Sequence, residues 1–406
     1  MTTLDPIAGA DLEGAARAIA GVARRTPSLA CEELSELAGT KVLLKAECLQ
    51  ATGSFKLRGA LAKVAALGDR AAAGLVTASA GNHARAVAYA ARAKGLGCEV
   101  FMPEDAAVSK VAAVERLGAH VHLEGGSVEE SVALAVASAE GTGAAFVHPF
   151  DDLDVIAGQG TLGAELLEEV PDVARVIVPL GGGGLSSGVG IALRRARVDV
   201  ELVGVQARVC APYLSTLGGA EPAAESISTA TIADGIAIKR PGELTLGLVR
   251  ELVSSVETVS EDEIADAMVF LADRAKLVAE GAGAVGVAAL LSGRLEPVDG
   301  ATVAVVSGGN VDMGLLAGLL RRRETEEGRR VRIFTRVPDR PGGLAELLSL
   351  VAGTRANLVS LEHVREAVSL HVRETGVELT LETRGPAHTE EMLAALAAAG
   401  YGVTPA

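Results

Sequence analysis

The chain is short of positive charge, of cysteine and of lysine. It carries 37 basic against 52 acidic residues, a formal net charge of −15. A surface of that sign repels phosphate backbones and anionic lipid, so neither nucleic acid nor a membrane surface is expected as partner. A bound phosphate is expected to be held by local backbone dipoles rather than by a generally basic surface. The four cysteines, Cys31, Cys48, Cys98 and Cys210, are widely spaced and form no Cys-x-x-Cys pair. They suit reduced thiols in a cytoplasmic protein and leave no metal site to expect. The N-terminus has Asp5, Asp11 and Glu13 instead of a basic segment with an apolar run behind it, so no secretion signal or membrane span is expected. Two nucleotide fingerprints are also missing. Ser186 or Ser187 stands where Gly-x-Gly-x-x-Gly needs its last glycine, and no P-loop Lys-Ser/Thr follows.

At 406 residues, two or three domains with ample core are expected. From Val42 to Val306, short β-branched runs at 75–77, 99–102, 120–123, 145–147, 175–179, 201–206 and 302–306 alternate with Ala/Leu-rich helical stretches. This predicts a mostly parallel sheet covered by helices, in two lobes, with ligands beyond the carboxyl ends of the strands. A charged run, Arg321-Arg322-Arg323-Glu324-Thr325-Glu326-Glu327-Gly328-Arg329-Arg330, interrupts the pattern and reads as a solvated helix end and linker over 324–330. Behind it, a strand at 331–337, a helix entered through Asp339-Arg340-Pro341-Gly342-Gly343-Leu344, strands at 357–363 and 377–382 and a helix at 390–399 give a small α+β unit over 331–406.

Three segments carry chemistry. Lys56, one of only eight lysines, follows Ser54-Phe55 at a helix start with apolar neighbours. Burial and a positive dipole end both disfavour an ammonium there, and a neutral amine forms a Schiff base with an aldehyde. Ser79-Ala80-Gly81-Asn82-His83 lies between a strand and a helix, as does Gly181-Gly182-Gly183-Gly184-Leu185. Both turns aim N–H groups at an anion, and four glycines let the backbone wrap closely round a phosphate.

Together with Ser307-Gly308-Gly309-Asn310, His148-Pro149-Phe150-Asp151-Asp152, Thr231-Ile232-Ala233-Asp234-Gly235 and Glu280-Gly281-Ala282-Gly283-Ala284, these segments resemble the fold-type II (tryptophan synthase β-like) pyridoxal-phosphate enzymes. The resemblance runs from about residue 5 to 320, with the motifs in the family's order, and is strongest to the threonine dehydratases, or threonine ammonia-lyases. It implies a two-lobed α/β catalytic domain over 1–323, whose smaller, mobile lobe spans about 50–150, and pyridoxal 5'-phosphate as cofactor. Lys56 would hold the cofactor and then move the substrate's α-proton. Gly181, Gly182, Gly183, Gly184 and Leu185 would bind its phosphate, Asn82 its ring hydroxyl, Ser307 its pyridine nitrogen, and Phe55 would pack beside it. Ser79, Ala80, Gly81, Asn82 and His83, with Phe150, would line the substrate's place.

The activity implied is dehydration and deamination of L-threonine to 2-oxobutanoate and ammonia, with L-serine as the weaker substrate. The racemases of the group place a serine where this chain has Ala80, so one face lacks an acid/base and elimination is expected over racemisation. A β-replacement synthase and a non-catalytic amino-acid sensor are the other readings; Phe150-Asp151-Asp152 and the tail speak against the first, Lys56 against the second. Where some relatives hold a cation, residues 205–212 have no carboxylate. The family's His-Ala-Gln-Gly becomes His83-Ala84-Arg85-Ala86. The tail resembles an ACT regulatory domain, which implies a dimer or tetramer and an isoleucine or valine effector near Gly342, Gly343, Leu344 and Asn357.

Overall fold

A computed structural model describes residues 5–197, 199–219, 230–365 and 373–405. The expected domain spans therefore include positions 1–4, 198, 220–229, 366–372 and 406 that lie outside the described residues. The chain divides into two compact units, Met1–Asp312 and Met313–Ala406. The strands of the first are β1 (Ser28–Ala30), β2 (Lys41–Lys45), β3 (Leu75–Ala78), β4 (Cys98–Met102), β5 (His120–Leu123), β6 (Ala145–Phe146), β7 (Val173–Pro179), β8 (Glu201–Ala207), β9 (Ser255–Val259) and β10 (Ala301–Val305). Those of the second are β11 (Arg330–Pro338), β12 (Asn357–Val364), β13 (Glu374–Glu382) and β14 (Thr404–Pro405).

The first unit has two lobes, each built on a parallel sheet. The larger sheet has the order β1-β2-β10-β7-β8-β9, parallel except for the antiparallel edge strand β1. The smaller is β5-β4-β3-β6. Its core joins Leu75, Val100 and Met102 from strands to Leu57, Leu61, Val64 and Val87 from helices. The helices Lys56–Leu67, Leu153–Glu169 and Gly184–Arg195 cross at backbone distance because glycines meet there. A Cβ on Gly59 would lie 2.3 Å from Gln159 Nε2, and one on Gly188 2.4 Å from the Ile156 carbonyl. Three strands escaped the sequence reading: β1 is three residues long, β2 sits between two lysines, and β9 alternates polar residues at a sheet edge.

The second unit is an antiparallel sheet, β12-β13-β11-β14, with helices Gly343–Gly353 and Pro386–Ala398 contributing to its core. Val331, Ile333 and Val337 of β11 join Val377, Leu379 and Leu381 of β13 in that core, so Arg330 and Arg332 point to the opposite face. Arg321, Arg322 and Arg323 lie on the helix Met313–Glu326, which also takes in Glu324, Thr325 and Glu326 of the expected linker. The unit boundary accordingly falls ahead of that helix and not behind it.

Candidate active site

The turn before Lys56 is stitched to the end of β10. Phe55 N–H donates to the Ser307 carbonyl at 3.0 Å, Gly309 N–H to the Gly53 carbonyl at 2.9 Å, and Ser54 bridges Gly308. Lys56 thus opens its helix beside Ser307, as the motif order anticipated. Its Nζ donates to the Pro149 carbonyl at 2.8 Å and lies 5.2 Å from the Phe55 ring centroid. Desolvation pulls its pKa down to about 8, with the Glu280 carboxylate opposing. Phe55 also packs on the large-lobe core around Leu43, Leu162 and Leu185.

The Ser79–His83 turn stands at the N-terminus of the helix Asn82–Lys94, where Gly81 is the cap and no side chain fills that role. Asn82 is therefore not spent as a cap. Its Nδ2 donates to Glu280 Oε1 at 2.6 Å, and its Oδ1 accepts from Asn310 Nδ2 at 2.6 Å. Ser79 Oγ accepts from Gly81 N–H at 3.1 Å, so its own proton remains available. His83 differs from the expectation of a side-chain donor. Its Nε2 lies 3.0 Å from the Val147 carbonyl, which only accepts, so that nitrogen's proton is used. Desolvation, then Lys56, drive its pKa down to about 3. His83 has only its backbone N–H left to offer an anion.

The glycine turn leads from β7 into the helix Gly184–Arg195 and cannot accept side chains. A Cβ on Gly182 would meet the Phe150 ring at 2.1 Å, and one on Gly183, at φ +87°, the Tyr213 hydroxyl at 2.3 Å. Phe150 is thus a wall of the glycine turn. The turn is also braced from behind. Tyr213 donates to the Gly182 carbonyl at 3.0 Å and touches Thr245 Oγ1, and Thr245 N–H donates to Asp151 at 2.9 Å. Ser54 and Ser187 hydroxyls are buried with no partner among the described residues. An amine held near neutrality, a cradle with no room for Cβ atoms and orphaned hydroxyls beside it fit an aldehyde-bearing phosphate ester.

Sequence reasoning missed Tyr213, Thr245 and above all Glu280. Glu280 is 6% exposed, and a Cβ on Gly308 would lie 2.2 Å from its Oε1. Desolvation, then Asp234, raise its pKa to about 7, while the Asn82 bond opposes. Its sequence signal was its place at the head of Glu280-Gly281-Ala282-Gly283-Ala284, before the apolar helix Gly281–Leu291, and no role was read from it. Among the described residues no group of acidic, histidine or cysteine side chains is arranged to hold a metal ion.

The four tail residues are not brought together in one chain. Gly342, Gly343 and Leu344 follow the Pro338 end of β11, whereas Asn357 lies in register with Glu382 and Arg330 at its other end. Asn357 Nδ2 donates to Glu382 at 3.0 Å.

Residues 19–309 match the model of the family described as "Pyridoxal-phosphate dependent enzyme". The chain is 46% identical over 396 residues to the L-threonine ammonia-lyase of Thermotoga maritima, covering 97% of this chain and 98% of that relative. Among solved structures, the T.th. threonine deaminase shares 39% identity at a TM-score of 0.68, over 75% of this chain and 98% of its own. Maize serine racemase shares 34% at 0.69, over 77% and 98%. With its lysine, glycine turn and two parallel sheets placed as described, the chain belongs to the fold-type II pyridoxal-phosphate dependent enzymes, within the family of the threonine ammonia-lyases.

Proposed function

We propose that this protein converts L-threonine to 2-oxobutanoate and ammonia, and L-serine to pyruvate more slowly. The observation that carries the reading is a single acid/base. Lys56 is an amine whose pKa is lowered to about 8, while position 80 is a methyl group and the His83 ring N–H is spent on Val147. The name of the Thermotoga maritima relative supports threonine as substrate.

Bound pyridoxal phosphate supplies an aldehyde for the substrate amine and a ring that takes up electrons from Cα. The backbone N–H groups of Asn82 and His83, with the Ser79 hydroxyl that Gly81 N–H orients, would hold the substrate carboxylate. Asn82 is held for the ring hydroxyl by Glu280 and Asn310. Ser307, 3% exposed, would offer a hydroxyl and no acid to the ring nitrogen, which would keep the electron sink weak and favour prompt loss of the β-hydroxyl. Lys56 takes the α-proton, and the hydroxyl leaves as water with one proton. The freed enamine tautomerises and a water hydrolyses it. One water leaves and one enters, so threonine gives 2-oxobutanoate and ammonia. Following L-serine tests the one-base reading: pyruvate should form with almost no D-serine, and D-serine appearing as fast as pyruvate would sink it.

The tail belongs to the same proposal as an ACT-like regulatory unit in a cytoplasmic dimer or tetramer, with isoleucine first and valine second as effector. Gly342 has φ +92° and caps the eleven-residue helix Gly343–Gly353 without a side chain, leaving N–H groups for a carboxylate. Since Asn357 lies at the far end of the sheet, it would join that site only from a second copy. The four cysteines are all free thiols, in keeping with a reducing compartment, and among the described residues no helix is long and apolar enough to cross a membrane.

A further inference from the structure

The charged run at 321–330 folds into a cavity of about 580 Å³ inside the second unit. Arg321, Arg322 and Thr325 come from the helix Met313–Glu326, and Arg330 and Arg332 from the open face of β11. Ser360 and Glu362 of β12 and Glu378 and Thr380 of β13 complete the polar wall. In a chain with an excess of acid, four arginines here meet two glutamates.

Two of these arginines are already used. Arg332 is ion-paired with Glu378, and Arg322 Nε donates to Glu326 at 2.8 Å. Arg321 and Arg330 have no side-chain hydrogen bond or ion pair among the described residues. Glu382 is opposite Arg330 in the ladder but is bonded to Asn357. Thr380 lies in the same cross-strand row as Arg332 and Ser360, and diagonal to Arg330. It is 7% exposed, yet its hydroxyl has no protein partner among the described residues and it lines the cavity. A hydroxyl that opens on the cavity beside two guanidinium forks without protein partners makes a set of donors facing one space.

We propose that this cavity binds a small multivalent oxyanion, a phosphate ester or a polycarboxylate, held by Arg321, Arg330 and Thr380. The site is separate from the helix start at Gly343 and from the cofactor's glycine turn, and does not rest on the threonine reading.

The test is calorimetric titration of the full-length, cofactor-loaded protein, whose glycine turn is then already occupied, with inorganic pyrophosphate and in parallel with citrate. One of the two should bind once per chain. Arg321→Ala and Arg330→Ala should each weaken it about tenfold, as loss of a charged hydrogen bond implies, and Thr380→Val should weaken it less. Arg321 is exposed on its helix, so its replacement leaves the fold in place. Which anion binds separates phosphate from carboxylate recognition. The proposal is overturned if neither binds, if binding is unchanged in Arg321→Ala, or if the variants alter only the state of oligomerisation.

Discussion

Lys56 and Glu280 are the two residues whose protons matter most, and both are displaced from ordinary values by burial. For Lys56 the pKa falls on folding to about 8 from the roughly 10.4 of a free lysine. An amine of lowered pKa costs the folded state most below pH 8, and the cost fades as pH rises through that value. Cofactor-free protein should therefore gain stability from pH 7 to 9, and its covalent capture of pyridoxal phosphate should rise with a midpoint about pH 8; a midpoint at roughly 10.4 would show an ordinary solvated amine. For Glu280, held at about 7, replacement by Gln keeps the bond to Asn82 possible but removes a titration. Glu280→Gln should delete an ionisation near pH 7 from the kcat/KM profile and from the bound cofactor's absorbance. Both profiles unchanged would make Glu280 a packing residue. Lys56 was legible because Ser54-Phe55-Lys56 stands with the Ser79–His83 and Gly181–Leu185 turns in the order of the family that the chain resembles. The Glu280–Ala284 segment was legible but the role of Glu280 was not, because nothing local tells a buried carboxylate from a solvated one; its partners Asn82 and Gly308 are far away in sequence.

At the scale of elements, the helix that carries Lys56 is anchored by Arg58. This fully buried guanidinium bonds Glu47 at 2.8 Å and Glu165 at 2.7 Å, and Lys45 reaches Glu165 at 3.0 Å. Removing one partner strands a buried charge, so Arg58→Met should cost about 3–5 kcal/mol. Urea unfolding measures it, and a loss under about 1 kcal/mol would mean that the network behaves like a surface ion pair. The parallel strands β3 to β8 and β10 were legible from their β-branched runs between helical stretches, and β2 was not. The edge strands β1 and β9 were not, because exposure there relaxes the apolar pattern. The charged run shows the same limit from the other side: its residues looked solvated, and only the sheet face beside them shows that Arg330 and Arg332 share a cavity with Arg321.

For the whole molecule, the two-unit division separates the catalytic fold from a unit with its own core. Regulation across them requires unequal effector affinity for two arrangements of the oligomer. Isoleucine titrated into full-length protein should shift the threonine saturation curve, and Asn357→Ala should blunt the shift. No shift and no calorimetric binding would leave the tail as an oligomerisation unit. The order of the tail's elements was legible, whereas the separation of Asn357 from Gly343 was not, because the helix Gly343–Gly353 carries the chain back along the sheet from the end of β11 to the start of β12.

The central claim is that Lys56 alone makes this fold eliminate water from threonine. Cofactor-loaded protein should release 2-oxobutanoate and ammonia from L-threonine in equal amounts, with a higher kcat/KM than for L-serine. Lys56→Ala, folded by circular dichroism, should lose at least about a thousandfold of that rate, in line with removal of a group that both holds the cofactor and moves the proton. Threonine turnover persisting in Lys56→Ala, or wild-type protein releasing ammonia without the oxo acid, would contradict the account.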